Sequence, residues 1–298
     1  MDQILVAMDR SPHSRAAARL AATIAAAHGA RLVLYHAVSA LEHLMLSKSL
    51  EQIYVLDSCA EWGDRLDEMK ANIVAETASL GTFEIETLVE ATNATNGILR
   101  NSRIQKTSMI VLGGHGTDAE SSFPFGSVSA RVARDANVPV LIVRGDHSRR
   151  FPASGLFANP MVAVDYSRFS EPAVRLAASL TAKSRQIELI HVYFAPDLEK
   201  EDGLADALAS ARARELERLQ SFSASLDIAP VAVRGRVEGG RIARQLLKYV
   251  DESATDIVII GAHGRSEDIA ILGTAADRII RRSAAPVLVL PDAMLDAG

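Results

Sequence analysis

Residues 113–127 read GGHGTDAESSFPFGS and follow an apolar run, Met109-Ile110-Val111-Leu112. Gly113, Gly116 and Gly126 are spaced along this stretch, and a hydroxyl, Ser127, stands next to the last. Glycine lacks a Cβ, so its backbone amide can approach a ligand closely. A strand opening through such a loop into a helix N-terminus is suited to holding an anion, because the first helical N–H groups have no intrahelical partner. The chemistry on offer is phosphate binding, although a loop also collects glycine simply to turn.

The second group of residues lies at the N-terminus. ILVAMDRSPHS (residues 4–14) is an apolar run ending on an acid, Asp9, with Ser11 and Pro12 two and three residues on. Ser11-Pro12 is a helix-start pattern, a cap followed by proline in the first turn. Asp9 can face a ligand, or serve as a cap or a solvated strand-end acid. For Ser11 and Ser14 capping is the expected task.

Both groups occur twice. Asp9, Ser11 and Ser14 return as Asp165, Ser167 and Ser170 in MVAVDYSRFS. RLVLYHAV returns as IELIHVY, setting His36 against His191, and SMIVLGGHG returns as DIVIIGAHG, setting Gly113, His115 and Gly116 against Gly261, His263 and Gly264. VPVLIVR returns as APVLVLP. Four matched segments in one order are an internal duplication. The stretch from Gly145 to about Asn159 reads as the linker, giving domains 1–146 and 158–298.

Each copy alternates short apolar runs with helical patterns, and strands are predicted near 3–8, 31–38, 84–90, 108–113 and 138–143. The runs are apolar on both faces, as strands covered by helices on each side must be. The fold class is therefore α/β: two tandem Rossmann-like domains, each a doubly wound five-stranded parallel sheet with helices on both faces. Ligands of such sheets bind beyond the carboxyl ends of the strands, where strand order reverses. That rule brings Asp9, the end of the second strand at His36 and Ala37, and the glycine loop to one rim. Residues 41–78 form a helical insertion containing Trp62, read as core, as a cover for a ligand or as a partner surface. Its counterpart at 199–225 is strongly charged.

These residues resemble the universal stress protein family, and the duplication resembles its tandem type. The family's G-x-x-G, nine residues, G-[S/T] pattern is matched by Gly113, Gly116, Thr117–Phe125, Gly126 and Ser127. Val6, Ala7, Asp9 and Ser11 match its first strand end, and Pro139, Val140 and Leu141 its last strand. The resemblance implies ATP or a related adenine nucleotide, with Mg2+ as an accompanying ion, and a stress-response role without fast catalysis. By position, Asp9 would face the adenosine, the Ala37 backbone would line the base, and Gly113, Gly116, Gly126, Ser127, Val128 and Ser129 would hold phosphates. Asp165, Val192, Gly261, Gly264, Gly273 and Thr274 make a second, weaker site. There only eight residues separate Gly264 from Gly273, and Ala276 stands where the first copy has Ser129. Asp118 and Glu120 in the first loop oppose phosphate unless they turn away or share a cation.

Other readings are narrowed by what the chain lacks. It has no Walker motif and no G-x-S-x-G elbow, and no His, Cys, Asp and Glu cluster has zinc spacing. The repeated histidines are read as hydrogen-bonded structural groups. The net charge of −5 gives no general attraction to nucleic acid or anionic membrane. No apolar stretch reaches membrane-span length, no basic region precedes Ile4-Leu5-Val6-Ala7, and the single Cys59 fits a reducing compartment. Cytoplasm is expected. The expected partners are the adenine nucleotide, the other half of the chain through the last strands, and a second copy in a homodimer. Two rival functions stay open: an ATP-independent scaffold, and an ATP-dependent transferase of the wider adenine-binding α/β superfamily.

Overall fold

A computed structural model describes the chain except residues 10, 39–50, 81, 115–126, 145–151, 153, 155, 184, 194–203, 227, 229–231, 265–271 and 297–298; for 51–58, 80 and 204–205 it describes backbone alone. The first half runs β1 (Gln3–Ala7), α1 (Pro12–His28), β2 (Arg31–Val38), α2 (Glu51–Thr77), β3 (Ile85–Ala91), α3 (Ala94–Ile104), β4 (Met109–Gly113), α4 (Ser127–Asp135) and β5 (Val140–Val143). The second repeats it as β6 (Pro160–Ala163), α5 (Ser170–Leu180), β7 (Gln186–Tyr193), α6 (Leu204–Ser225), β8 (Ala232–Gly239), α7 (Ile242–Glu252), β9 (Ile257–Gly261), α8 (Thr274–Arg282) and β10 (Val287–Leu290), followed by α9 (Asp292–Leu295).

The strands form one sheet in the order β3-β2-β1-β4-β5-β10-β9-β6-β7-β8. Pairing within each half is parallel. At the join β5 and β10 run antiparallel, with Leu141 opposite Leu288. Successive side chains on a strand point to opposite faces, so the apolar runs feed two cores. Ile4 and Val6 pack with α1, α2, α5 and α6 on one face. Leu5 packs with α3, α4, α7 and α8 on the other.

Helix α1 shows how local sequence sets this packing. The Ser11 hydroxyl accepts from the Ser14 amide at 3.1 Å. At the other end Gly29 takes φ +62°, the left-handed conformation that stops a helix. Between them Ala17, Ala18, Ala21, Ala22 and Ala25 are buried, and their small side chains let α1 lie close on β1 and β4. The predicted linker is not wholly a linker. Phe157 is fully buried, and its backbone bonds Leu180 O at 2.8 Å and the Ala182 amide at 2.9 Å. The following amides, Ala158 and Asn159, donate to the Asp256 carboxylate at 2.6 and 3.1 Å. An aromatic side chain able to reach a core outweighed the polar composition around it.

Gly97, inside α3, is a packing requirement. A Cβ there would lie 1.9 Å from the Tyr35 hydroxyl. That hydroxyl donates to Glu90 Oε2 at 3.1 Å, so the missing Cβ makes room for a buried polar contact between β2 and β3. Gly97→Ala should destabilise the fold by about 1–3 kcal/mol through overpacking, although alanine is the better helix former by about 1 kcal/mol. Adding Tyr35→Phe, which removes the blocking oxygen, should restore part of the loss in urea denaturation; purely additive losses would refute the steric account.

Candidate functional site

The strand order reverses between β1 and β4 in the first half and between β6 and β9 in the second. Both crevices therefore open beyond the carboxyl ends of those pairs, where such sheets bind ligands. At the first rim Asp9 follows β1, half-buried, and its Oδ1 accepts the Ser11 amide at 2.8 Å. The Ser14 hydroxyl ties Asp9 O at 2.9 Å, so the acid stands on a backbone fixed at both sides. Across from it β4 ends at Gly113. A Cβ on Gly113 would lie 2.9 Å from the Ser14 nitrogen, so only glycine lets β4 end against the start of α1.

Gly116, Gly126, His115, Asp118 and Glu120 lie outside the described residues. The chain resumes at Ser127, exposed, as the first residue of α4; Val128 is half-buried. Ser129 is buried, and its hydroxyl donates to Gly113 O at 2.8 Å. This bond ties the start of the helix to the strand end. Ala37 is half-buried on β2, in register with Glu90 on β3. His36 joins β2 to β1 through Nδ1, 2.6 Å from Met8 O, and stacks on Trp62 of α2 at 3.5 Å between centroids. Leu66 and Ile73 of the same helix are buried, so the described part of the insertion contributes core and an aromatic wall beside the rim.

The second rim shares this plan with different chemistry. Asp165 Oδ1 accepts the Ser167 amide at 2.9 Å, as Asp9 does for Ser11. Gly261 closes on Phe169, and a Cβ on Gly264 would stand 3.0 Å from Asp165 Oδ2, so Gly264 lies close against the acid. Gly273 precedes α8 with no side-chain cap, Thr274 is exposed, and Val192 is buried on β7. His191 repeats the His36 contact through Nδ1, 2.7 Å from Val164 O. Both described strand histidines are therefore hydrogen-bonded between strands. Among the described residues no group of three or more His, Cys, Asp or Glu is placed to hold a metal.

Two features of this rim were not legible beforehand. Tyr166 takes φ +63°, rare for a bulky residue, and its ring packs on His191 and under the Arg218 guanidinium, 4.0 Å away. Those contacts hold the strained turn directly after Asp165. Buried Asp292 of α9 pairs with His263 and accepts Arg168 at 2.7 Å. The first half has Pro12 where Arg168 stands and Gly145 near the place of Asp292, so the duplication itself concealed this cluster.

A family model described as the Universal stress protein family matches residues 1–144 and 159–291. The chain belongs to the universal stress protein family. A universal stress protein of Mycolicibacterium smegmatis is 26% identical over 299 residues, spanning 96% of each chain. One from Thermus aquaticus is 31% identical over 141 residues, 47% of this chain and 97% of its own. The crystal structure of a universal stress protein from Archaeoglobus fulgidus superposes with TM-score 0.66 at 21% identity, covering 97% of this chain and 98% of that one. That likeness carries the fold, a mostly parallel α/β architecture with two halves.

Beside Ala37, Glu90 gives this universal stress protein a measurable electrostatic signature. Burial pushes its carboxyl up, but hydrogen bonds from Asn101, Arg100 and Tyr35 outweigh that and hold it below the usual Glu range. Asn101 and Arg100 each reach Oε2 at 2.7 Å. A carboxyl lowered on folding adds stability that is present above its unfolded pKa and lost as pH falls through the folded one. Glu90→Gln should therefore be less stable than the parent at neutral pH. The difference should shrink as pH falls below about 4.3, the ordinary Glu value; a gap independent of pH in denaturation curves would refute the assignment.

Proposed function

We propose that this universal stress protein binds ATP or a related adenine nucleotide as a regulatory ligand, without fast catalysis, in the cytoplasm. One observation carries the reading. In sequence the G-x-x-G, nine-residue, G-S pattern joins the carboxyl end of β4, at the switch point beside Asp9, to the start of α4 at Ser127. The first amides of a helix, preceded by glycine, are the donor set a phosphate requires. Asp9 supplies an acceptor for a sugar hydroxyl, and the Ala37 backbone lies at the neighbouring strand end for a base edge. In this reading Gly113, Gly116, Gly126, Ser127 and Val128 form the cradle, and Ser129 positions it. Mg2+ would arrive with a triphosphate; Asp118 and Glu120 are carboxylates of the same loop. The two domains, 1–146 and 158–298, act as a pair through β5 and β10.

The second set, Asp165, Val192, Gly261, Gly264, Gly273 and Thr274, forms the weaker site. Its loop is one residue shorter, which can displace backbone by up to about 3.5 Å, a full hydrogen-bond length. Gly264 already lies close against Asp165, and Arg168 and His263 are engaged by Asp292. Each amide hydrogen bond that such a shift denies to a charged ligand weakens binding by about 1.5–3 kcal/mol.

Mass spectrometry of small molecules released from denatured purified protein should find an adenine nucleotide. A ligand-free protein that also fails to bind added ATP would favour the scaffold, and product formation would favour the transferase. Gly126→Val should abolish ATP binding with modest loss of stability, because its side chain obstructs the phosphate; unchanged affinity by calorimetry in a folded variant would sink the loop assignment. Asp9→Ala should weaken the tight ATP site while Asp165→Ala leaves it. The reverse order would make the C-terminal half the principal site.

A further inference from the structure

We infer that the sheet face covered by α3, α4, α7 and α8 is a docking surface for an acidic polypeptide segment with interspersed apolar residues. This surface adjoins the second rim, where α7 and α8 begin, and its test does not depend on a nucleotide being bound there. Because β5 and β10 are antiparallel, the strands of the two halves point in opposite directions. In each half the helices return against their strands. The carboxyl ends of α3 and α4 therefore lie on the same edge of the sheet as the amino ends of α7 and α8. The edge collects Arg103 from the last turn of α3, Arg131 and Arg134 from α4, Arg241 and Arg244 from the start of α7, and Arg278 from α8. In sequence they are scattered pairs; the topology sets them along one edge.

Among the described residues of these four helices, the acids at this end are Asp135 and Asp277. Asp135 is held by Arg134 at 2.6 Å, with Arg131 and Arg103 close enough to keep its carboxyl low, and Asp277 is held by Arg281 at 2.8 Å. The nearby α9 packs on α4, and its Asp292 and Asp296 are engaged by Arg168. Arg103, Arg131, Arg241, Arg244 and Arg278 are exposed, with no carboxylate at ion-pair distance among the described residues. A chain of net charge −5 thus holds a local surplus of guanidinium groups on one face.

What lies among the arginines selects the partner. Ile104 is 70% exposed and Ile242 46% exposed, each adjacent in sequence to an arginine of the edge. Large apolar side chains in water beside unpaired guanidinium groups match a polypeptide that offers both carboxylates and apolar side chains. Arginine forks pair with carboxylates through two hydrogen bonds. Nucleic acid would use aromatic platforms for its bases, and the nearby Tyr249 is instead half-buried with Arg236 over it at 5.1 Å. The net negative charge of the whole also opposes a long polyanion beyond a Debye length.

The test is fluorescence anisotropy on the full chain with four probes: a labelled peptide alternating Glu, Asp and Leu, the same peptide with Ser for Leu, oligouridylate, and phosphatidylserine vesicles. The leucine peptide should bind most tightly, and its affinity should fall steeply between about 0.05 and 0.3 M salt, as screening demands. Arg131→Glu/Arg278→Glu should weaken it about tenfold or more, and Ile104→Ser/Ile242→Ser should bring it to the level of the serine peptide. These side chains are exposed, so circular dichroism should show unchanged folding. No binding at low salt, or binding unaffected by the arginine reversals, overturns the surface. Equal or tighter binding of oligouridylate or vesicles, or no difference between the two peptides, overturns the assignment of the partner.

Discussion

The antiparallel pairing of β5 with β10 is the contact on which the arrangement of this protein depends. Val140, Leu141 and Ile142 face Val289, Leu288 and Val287, and all six are essentially inaccessible to water. In an isolated half each of these strands would be an apolar sheet edge with unpaired amides and carbonyls, the kind of surface that recruits other strands. Pairing them satisfies both sets of backbone groups and merges two five-stranded sheets into one. It also explains why each of the two core layers runs through both halves.

The same pairing distributes the chemistry. Since the join is antiparallel, the two rims open on opposite edges of the sheet. Helices α4 and α8, which lead into the joined strands, are the central helices of one face. Each begins at the rim of its own half and ends toward that of the other. Arg144, just past β5, reaches Arg281 O near the end of α8 at 3.1 Å, and α9 packs on α4 from beyond β10. The rims are thus built by one half and buttressed by the other.

Within each rim, the recurring physical theme is the absence of a side chain. Gly113 lets β4 end on the backbone of α1, Gly261 lets β9 end on Phe169, and Gly97 leaves space for the Tyr35 hydroxyl. Two halves with the same glycines differ in what those glycines meet. The first rim ties its helix to its strand through Ser129, whereas the second bonds the Gly273 amide to Ala262 O at 2.9 Å and gathers Arg168 and His263 around Asp292. Duplication preserved the frame and let the side chains around it diverge.

Much of this was determined by sequence alone, because it depends on local rules and on repetition. Apolar runs between Ser-Pro and Gly punctuation locate strands and α1, and the double occurrence of Asp9 and Gly113 locates two rims at two switch points. Other features depend on groups far apart in the chain, where local pattern carries no signal. The polar stretch before Pro160 hides Phe157, which is core only because Leu180 and Ala182 offer it backbone partners. The bond from the Ser129 hydroxyl to the end of β4 also has no sign in the local sequence. Asp292 carries no signal in the sequence, and only the fold of α9 sets it against His263 and Arg168. The arginines of α3, α4, α7 and α8 are ordinary pairs in sequence, and only an antiparallel join sets them on one edge. Periodicity and caps act over a few residues, whereas charge and hydrogen-bond satisfaction act across space, so the tertiary structure alone decided which polar groups are paired and which remain to meet a partner.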